Sequence, residues 1–171
     1  MNRIMIIGCC GSGKSTFSRK LQTLTHLDLF HLDQYYWKPN WEETPKTEWT
    51  KIVQNLANKP HWIIDGNYGG TMDIRIEKAD TIIYFDCPTA KCLWRVLTRT
   101  FKYWRKERPD MPTGCKERFD IAFLHYVATF NAIRRKQNLA KLDRFKNNKT
   151  VIIFKNDTEA DTFLNTIKIH S

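Results

Sequence analysis

The chain has 171 residues, of which 42% are hydrophobic and 27% are charged. This composition excludes a disordered or fibrous chain, and the length favours one domain, residues 1–171. No apolar run is long enough to cross a bilayer, so we expect a cytoplasmic protein with no membrane partner. The five cysteines are odd in number and lack metal-site spacing, which predicts reduced thiols.

Positive charge is concentrated in one segment. The net charge is +10, and residues 89–150 hold 16 Lys and Arg against 5 Asp and Glu, whereas the rest of the chain has a net charge of −1. We expect such a segment to meet a polyanion, either a nucleoside triphosphate or a nucleic acid backbone.

The chain begins with a predicted strand, a glycine-rich loop and a helix. Arg3–Ile7 is a short apolar run of the kind found in strands that are buried on both faces. Residues 8–15 (GCCGSGKS) fit the pattern G-x-x-x-x-G-K-[ST], and Phe17, Leu21 and Leu24 then recur on one helix face. In this context the pattern predicts a P-loop, whose backbone N–H groups and lysine hold nucleotide phosphates. The predicted ATP-binding residues are Gly8, Gly11, Ser12, Gly13, Lys14, Ser15 and Thr16.

Three later predicted strands each end in an aspartate. They are residues 27–32, 61–64 and 81–85, followed by Asp33, Asp65 and Asp86. Ligands of open parallel sheets bind beyond the carboxyl ends of the strands, where Mg²⁺ can find oxygen ligands. Any one aspartate could instead cap a helix or form a turn, which is the interpretation we prefer for Asp86 because Pro88 follows it. We expect Asp65 and Ser15 to support Mg²⁺, and Asp33 to position or deprotonate an acceptor.

Residues 34–60 are predicted to form an insertion that binds the acceptor. It begins with a loop rich in aromatic residues, in which Tyr36 and Trp37 are candidate contacts. Thr44 and Pro45 then open a helix as its N-cap and first residue. The predicted buried face of that helix consists of Trp49, Ile52, Val53 and Leu56.

A long helix that starts near Thr89 carries both an apolar face and a basic stripe. The apolar face consists of Leu93, Val96, Leu97, Phe101 and Trp104. The stripe consists of Lys91, Arg95, Arg99, Lys102 and Lys106. We expect its lysines to be solvated, whereas Arg95 and Arg99 lie nearer the middle of the helix and are better placed to reach phosphates.

The polar segment 105–116 contains prolines and a glycine, and it is predicted to be a mobile cover that carries Arg108. A second helix, a strand at residues 150–154 and a final helix capped by residues 156–159 follow. The predicted core face of the second helix consists of Phe119, Ala122, Phe123, Tyr126, Val127, Phe130 and Ile133. The alternation of strands and helices predicts an α/β fold, with a five-stranded parallel sheet and helices on both faces.

Several stretches along nearly the whole chain are specific in combination. They are IIGCCGSGKST (6–16), HLD (31–33), WKP (37–39), WIIDGNY (62–68), CLWRV (92–96) and RPDM (108–111). Together they resemble the nucleoside monophosphate kinase fold, and within it a small adenylate-kinase-related family described as DNA topology modulation proteins. The resemblance implies a three-layer P-loop kinase fold with a short cover segment, and ATP and Mg²⁺ as cofactors.

The resemblance also has departures that bear on the acceptor. Asp65 and Gly66 resemble the Asp-Gly of adenylate kinases, whose downstream arginine holds the acceptor phosphate, and Arg75 is the nearest substitute for that arginine. No arginine lies between Arg19 and Arg75, and the aromatic loop stands there instead, which suggests a flatter or less charged acceptor. Arg108 and the proline after it resemble the cover motif of shikimate-type kinases, and Asp33 resembles the acceptor-orienting aspartate of small-molecule kinases such as uridine kinase.

These observations favour an ATP-dependent phosphotransferase with a small hydroxyl or phosphate acceptor. Its predicted catalytic residues are Lys14, Asp33, Arg108, Arg99 and Arg95, and its predicted acceptor contacts are Asp33, Tyr36, Trp37 and Arg75. Two alternatives stay open. One is a nucleic-acid-binding protein that uses ATP as a switch and influences DNA topology through residues 89–150, and the other is an ATP hydrolase with no dedicated acceptor.

Overall fold

A computed structural model describes residues 1–108 and 111–169 of the chain. Its strands are β1 (Arg3–Gly8), β2 (Leu29–His31), β3 (Trp37–Lys38), β4 (Glu42–Glu43), β5 (Trp62–Asp65), β6 (Thr81–Phe85) and β7 (Thr150–Phe154). Its α-helices are α1 (Lys14–Thr25), α2 (Leu32–Tyr36), α3 (Lys46–Ala57), α4 (Met72–Lys78), α5 (Thr89–Lys102), α6 (Ile121–Phe130), α7 (Lys136–Asp143) and α8 (Asp157–Ile169). A π-helical segment, Asn131–Arg135, joins α6 to α7. None of the helices in the described ranges is long and apolar enough to cross a membrane.

The predicted five-stranded parallel sheet is confirmed. Its strand order is β2-β5-β1-β6-β7, with β1 in the centre between β5 and β6. Alternate residues of β1 enter opposite cores, which is why its apolar run is continuous: Ile4 and Ile6 pack with α1, α5, α6 and α8, whereas Met5 and Ile7 pack with α3, α4 and α7. The molecule therefore has the three layers expected of an α/β fold.

The predicted second strand is too long. Strand β2 ends at His31, and the next five residues form helix α2, so Asp33 lies in the first turn of a helix and not at a strand end. Leu32 and Tyr36, four residues apart, both pack on the core that contains α3, and this helical spacing overrides the short apolar run. The predicted aromatic loop is likewise partly regular, because β3 and β4 pair as a small antiparallel hairpin.

The predicted core face of α5 is rotated from the observed one. Its buried residues are Cys92, Val96 and Thr100, whereas Phe101 is 72% exposed. Thr100 lies on the inward side, where its hydroxyl donates a hydrogen bond to Glu117, the residue after the cover. Other predicted core residues of α5 and of the following segment are also exposed, namely Trp104, Phe119, Ala122, Tyr126 and Ile133.

Candidate functional site

The glycine-rich loop has a backbone that its glycines make possible. Gly11 has a φ of 80° and Gly13 has a φ of 100°, both in the left-handed region. A Cβ atom at Gly11 would lie 2.4 Å from the carbonyl oxygen of Cys92, so a side chain there would displace the backbone of α5. Helix α1 starts at Lys14 with its N-terminus at this loop, and the Lys14 ammonium donates a hydrogen bond of 2.8 Å to the carbonyl of Cys9.

One cavity of about 1430 Å³ gathers most of the predicted site residues. Those that line it are Gly11, Gly13, Lys14, Ser15, Thr16, Asp33, Trp37, Asp65, Arg95, Arg99 and Arg108. Gly8 and Ser12 are buried behind the loop, and Tyr36 packs its ring against Trp49 and Tyr68. Tyr36 therefore packs behind a lining residue, Tyr68, and does not itself line the cavity.

The predicted Mg²⁺ residues are in contact. The Ser15 hydroxyl donates a 2.8 Å hydrogen bond to Asp65 Oδ2, and His31 Nδ1 lies 3.0 Å from the same oxygen. Burial opposes ionisation of Asp65, but His31, the Lys14 charge and the Ser15 hydroxyl outweigh burial and lower the pKa of this carboxyl. Asp65 Oδ1 is buried and has no hydrogen-bond partner in the part of the chain that the structure describes.

This oxygen arrangement fits Mg²⁺. Magnesium ions in phosphate sites take few protein ligands and use water and phosphate oxygens for the rest. Ser15 would supply the direct hydroxyl ligand, and the unpartnered Asp65 Oδ1 would accept a hydrogen bond from a metal-bound water. The described residues contain no cluster of three or more His, Cys, Asp or Glu that could hold a metal on its own.

Asp33, which lines the same cavity, is held by Tyr68. The Tyr68 hydroxyl donates a 2.6 Å hydrogen bond to Asp33 Oδ1. Burial raises the pKa of Asp33, and the Tyr68 hydrogen bond offsets only part of that effect. These two carboxyls are thus shifted in opposite directions, with the pKa of Asp65 lowered and that of Asp33 raised.

Arg95 reaches the edge of the P-loop while paired to a carboxylate. Its guanidinium binds both oxygens of Asp157, at 3.1 and 2.6 Å, and a Cβ atom at Gly13 would lie 3.3 Å from Arg95 Nη1. Lys91 forms an ion pair of 2.8 Å with the same Asp157, so the expectation of a simply solvated lysine at this position is wrong. Asp157 begins α8, and its carboxylate holds the basic stripe of α5 against the rest of the fold.

The cover is built into the structure. Arg108 is 7% exposed, and its Nε lies 2.8 Å from Glu117 Oε2. The backbones of Glu107 and Lys116 form an isolated antiparallel β-bridge. Three contacts join the cover to the aromatic hairpin, from the Asn40 N–H to the Gly114 carbonyl (3.1 Å), from Trp41 Nε1 to the Lys116 carbonyl (2.9 Å), and from Cys115 Sγ to the Lys38 carbonyl (3.3 Å). Pro109, the proline of the predicted cover motif, lies outside the described residues. The predicted mobility of the cover stays a prediction.

Arg75 is not brought to the cavity. It is fully buried on α4, and its guanidinium donates hydrogen bonds to the carbonyls of Gly66 (2.6 Å), Asn67 (2.5 Å) and Tyr68 (3.1 Å). The assignment of Arg75 as an acceptor contact is therefore wrong, because all of these donors point at the loop that follows β5. Sequence spacing placed an arginine near the site but could not tell which side of the loop it would occupy.

Several residues of the site were not singled out from the sequence. Asn67 binds the start of the P-loop, accepting a hydrogen bond from the Gly8 N–H at 2.9 Å and donating one to the Gly8 carbonyl at 2.6 Å. His31 contacts Asp65, and Arg118 and Arg134 line the cavity. The stretches 31–33 and 62–68 carried the resemblance, and they were the only signal for His31, Asn67 and Tyr68.

Solved structures with this fold include several kinases. Shikimate kinase from Acinetobacter baumannii has a TM-score of 0.57 and 16% identity, and the alignment covers 98% of this chain and 90% of that one. A gluconokinase from Sinorhizobium meliloti 1021 has a TM-score of 0.55 and 12% identity over 98% and 90% of the chains. Deoxyadenosine kinase from M. mycoides, with dCMP and dCDP bound, has a TM-score of 0.51 and 16% identity over 98% and 99%.

At these identities the likeness shows the fold alone, which is that of small P-loop kinases. No family model matches the chain, and no curated protein matches it. The narrower resemblance to DNA topology modulation proteins is therefore not shown, whereas the P-loop kinase fold that it implied is confirmed.

Proposed function

We propose that this chain transfers the γ-phosphoryl group of ATP to a hydroxyl group of a small acceptor. One observation carries the proposal: Asp33, held by Tyr68 at 2.6 Å, lines the same cavity as Lys14, Ser15 and Asp65. A group that can orient a hydroxyl thus shares one enclosure with a phosphate-binding loop. The names of the solved neighbours, which are kinases of gluconate, deoxyadenosine and shikimate, agree with this reaction class.

The donor side has the groups that phosphoryl transfer needs. The N-terminus of α1 and the loop N–H groups would face the β-phosphate, and Lys14 would exchange its bond to Cys9 for phosphate oxygens. When bound, Mg²⁺ would neutralise charge on the β- and γ-phosphates. Asp65, whose pKa is lowered, stays ionised at neutral pH and keeps the Ser15 hydroxyl oriented.

The acceptor side favours a hydroxyl over a phosphate group. Asp33 is an acceptor-only group when ionised, so it attracts an O–H and repels an anion. Its raised pKa brings the carboxyl closer to the pKa that favours proton transfer at neutral pH. The wall near Asp33 is aromatic, with Trp37, Trp41 and Tyr68, and Gly70 leaves open space beside it. This wall suits an acceptor with a flat or apolar body.

Charge on the transferring group can be met by arginines of the cavity. Arg95, Arg99 and Arg108 all line it, and Arg95 is also paired with Asp157 and Arg108 with Glu117. We assign Arg108, with Arg95 or Arg99, to the developing charge. A phosphate group would compete with the carboxylates that Arg95 and Arg108 contact.

The test is a screen for acceptor-dependent ADP formation. Nucleosides, sugars and hydroxy acids are incubated with ATP and Mg²⁺, and the wild type is compared with Asp33→Asn and Lys14→Ala. We expect one acceptor class to stimulate ADP release, and Asp33→Asn to remove the stimulation while binding of the analogue AMP-PNP persists. ADP release that no acceptor stimulates and that Asp33→Asn does not change would instead indicate a hydrolase.

The positive charge of residues 89–150 gives no specific support to nucleic acid binding. Several of its cations pair with carboxylates from outside the segment: Arg95 with Asp157, Arg135 with Asp86, and Lys141 with Asp73. Part of the charge excess therefore holds this segment onto the rest of the fold. For this reason we do not propose a nucleic-acid function.

A further inference from the structure

We propose that Arg75 is a positioning residue that sets both halves of the site through one short loop. The loop comprises residues 66–68, which follow β5, and it is called the 66–68 loop below. Through Asn67 it fixes the start of the P-loop, and through Tyr68 it fixes the acceptor carboxylate. The chemical roles of those two groups rest on the proposed function, whereas their positioning is tested independently of it.

Burying the charged side chain of Arg75 in a core has a large desolvation penalty. Its side chain is fully buried, and burial lowers the pKa of the guanidinium to about 9. An apolar side chain of similar length would avoid this cost. The contacts that compensate for it are three carbonyls of consecutive residues, at 2.6, 2.5 and 3.1 Å, which is the whole 66–68 loop. The planar guanidinium fork suits this geometry, since it presents several donors in fixed directions.

The 66–68 loop needs external support. Gly66 has a φ of 147° and Tyr68 has a φ of 31°, both in the region that L side chains rarely adopt. A Cβ atom at Gly66 would lie 2.8 Å from the Cβ of Leu32, so the loop also passes close against α2. A backbone held in this conformation persists when neighbouring contacts fix it, and Arg75 provides three of them.

The 66–68 loop positions two groups, which are called its outputs below, and the first is the start of the P-loop on the donor side. The Asn67 amide makes a pair of hydrogen bonds with Gly8, one to its N–H and one to its carbonyl. Gly8 is the last residue of β1 and the first of the P-loop, so this pair anchors the loop where it leaves the sheet. The Gly66 N–H adds a hydrogen bond of 3.1 Å to the Ile6 carbonyl on the same strand.

The second output is the Asp33 carboxylate on the acceptor side. Tyr68 is adjacent to Asn67, and its hydroxyl holds Asp33 at 2.6 Å. The Tyr68 ring is itself packed between Tyr36 and Trp49, at centroid distances of 4.7 and 4.8 Å. This packing fixes the position of the ring and therefore of its hydroxyl. A shift of the 66–68 backbone would therefore move the Asp33 partner and the P-loop anchor together.

Two structural readouts follow these outputs without requiring turnover. The first is hydrogen exchange of the Gly8 amide, which Asn67 protects. The second is the titration of the Asp33 carboxyl, followed by NMR in protein labelled with carbon-13 aspartate and identified by its loss in Asp33→Asn. The titratable or charged groups that face Asp33 are Tyr68, Asp65, Arg108, Lys14 and Cys10. Affinity for AMP-PNP with Mg²⁺ is a third readout, of the donor side.

Single variants should separate the two outputs. Asn67→Ala should speed exchange of the Gly8 amide about tenfold and weaken AMP-PNP binding by a similar factor, because a hydrogen bond of this kind is worth roughly that much. It should leave the Asp33 titration unchanged. Tyr68→Phe should do the reverse: it removes a bond to the ionised form, so the pKa of Asp33 rises further, while Gly8 exchange stays as in the wild type.

Arg75→Lys should change both outputs at once. The ammonium keeps the charge but cannot serve three carbonyls in the planar geometry, so Gly8 exchange should accelerate and the pKa of Asp33 should rise in the same variant. The matched control is Ile76→Ala, the buried neighbour on α4, which should lower thermal stability and move neither readout.

The outcomes decide as follows. If Arg75→Lys destabilises the protein as Ile76→Ala does and changes neither readout, or only one, Arg75 is ordinary core and the proposal is wrong. Where Arg75→Lys fails to fold, the proposal still requires Asn67→Ala and Tyr68→Phe each to move its own readout. Failure of either overturns it. A wild type that binds no AMP-PNP contradicts the proposed function but leaves the Gly8 and Asp33 measurements to judge the positioning.

Discussion

The donor half and the acceptor half of the cavity are built in different ways. The donor half comprises residues 8–16 and Asp65, which lie at the ends of regular central strands and at the start of α1. The acceptor half comprises α2, the β3–β4 hairpin and the cover, which are short elements tied together by single hydrogen bonds. In the proposed reaction, phosphate binding would therefore depend on backbone geometry, whereas acceptor recognition would depend on a few side-chain contacts.

The largest effect should come from the donor half. Lys14→Ala should lower the rate of ATP turnover about a thousandfold, because it removes a preorganised positive charge from the transferring phosphates. Thermal stability should hardly change, since the ammonium contacts only the Cys9 carbonyl among the hydrogen bonds of the described residues. The measurement is ADP release at saturating ATP, with Lys51→Ala on the exposed face of α3 as the control. Wild-type turnover in Lys14→Ala would contradict the proposed role of the donor half in holding the transferring phosphates.

The second prediction separates structure from catalysis in the cover. Arg108 and Glu117 are each about 6% exposed at the side chain, so Arg108→Met leaves a buried carboxylate without its ion-pair partner. We expect the free energy of unfolding to fall by about 3 kcal/mol, measured by urea denaturation. The double variant Arg108→Met with Glu117→Met should recover most of that stability, because it removes both charges.

The rates of the same two variants complete this test. If Arg108 also stabilises the transferring phosphate, turnover should stay about a hundredfold lower in the double variant although the fold has recovered. ATP turnover that recovers together with stability would show that Arg108 has only a structural role. The cover would then belong to the scaffold of the acceptor half.

The third prediction uses the opposite pKa shifts of the two carboxyls. The pKa of Asp65 is lowered in the folded state, so its ionised form adds stability that is present above the unfolded pKa and is lost as the pH falls through the folded one. Asp65→Asn should therefore destabilise the protein at pH 7, by about 2 kcal/mol for hydrogen bonds to a charged group. The pKa of Asp33 is raised, so ionised Asp33 weakens the fold at pH 7 and Asp33→Asn should stabilise it.

Urea unfolding at pH 7 and at pH 4 checks these signs. At pH 4 the gain in Asp33→Asn should have shrunk, because the raised pKa lets folded Asp33 take up a proton before the unfolded chain does and neutral Asp33 resembles asparagine. The loss in Asp65→Asn should persist at pH 4, because the pKa of folded Asp65 lies below the ordinary value of 3.8. The same sign for both variants at pH 7 would contradict the opposite pKa shifts of the two carboxyls.

The two halves also differ in how far the sequence could predict them. The donor half follows from local rules: the motif requires particular backbone angles at Gly11 and Gly13, and strand order brings Ser15 and Asp65 together. The acceptor half depends on contacts between distant segments. The bond from Trp41 to Lys116 spans 75 residues, and nothing in the pattern around either residue indicates the other.

Arg75 and Phe101 show the same limit at single positions. Arg75 lies at the spacing expected of an acceptor contact, but the positive-φ conformations of Gly66 and Tyr68 turn the loop carbonyls toward it. Phe101 fits an apolar helix face, but the bond from Thr100 to Glu117 turns the neighbouring row inward. In both cases a tertiary hydrogen bond decided between orientations that the sequence pattern left equal.

The smallest predicted effect tests whether the acceptor half is held by single contacts. Trp41→Phe keeps an aromatic ring beside Trp37 but deletes the indole N–H that binds the Lys116 carbonyl at 2.9 Å. We expect about 1 kcal/mol less protection against local opening, seen as roughly fivefold faster hydrogen exchange of cover amides with little change in global stability.

Trp94→Phe, at a position that is 68% exposed on α5, serves as the control and should leave exchange unchanged. Exchange in the Gly8–Thr16 loop should not respond to Trp41→Phe, because among the described residues no hydrogen bond of this hairpin reaches that loop. Acceleration confined to the cover would show that hairpin and cover open as one unit apart from the donor half. Faster exchange in both places would show that the two halves open together with the same free energy of opening. They would then differ in their structural elements but not in their local stability.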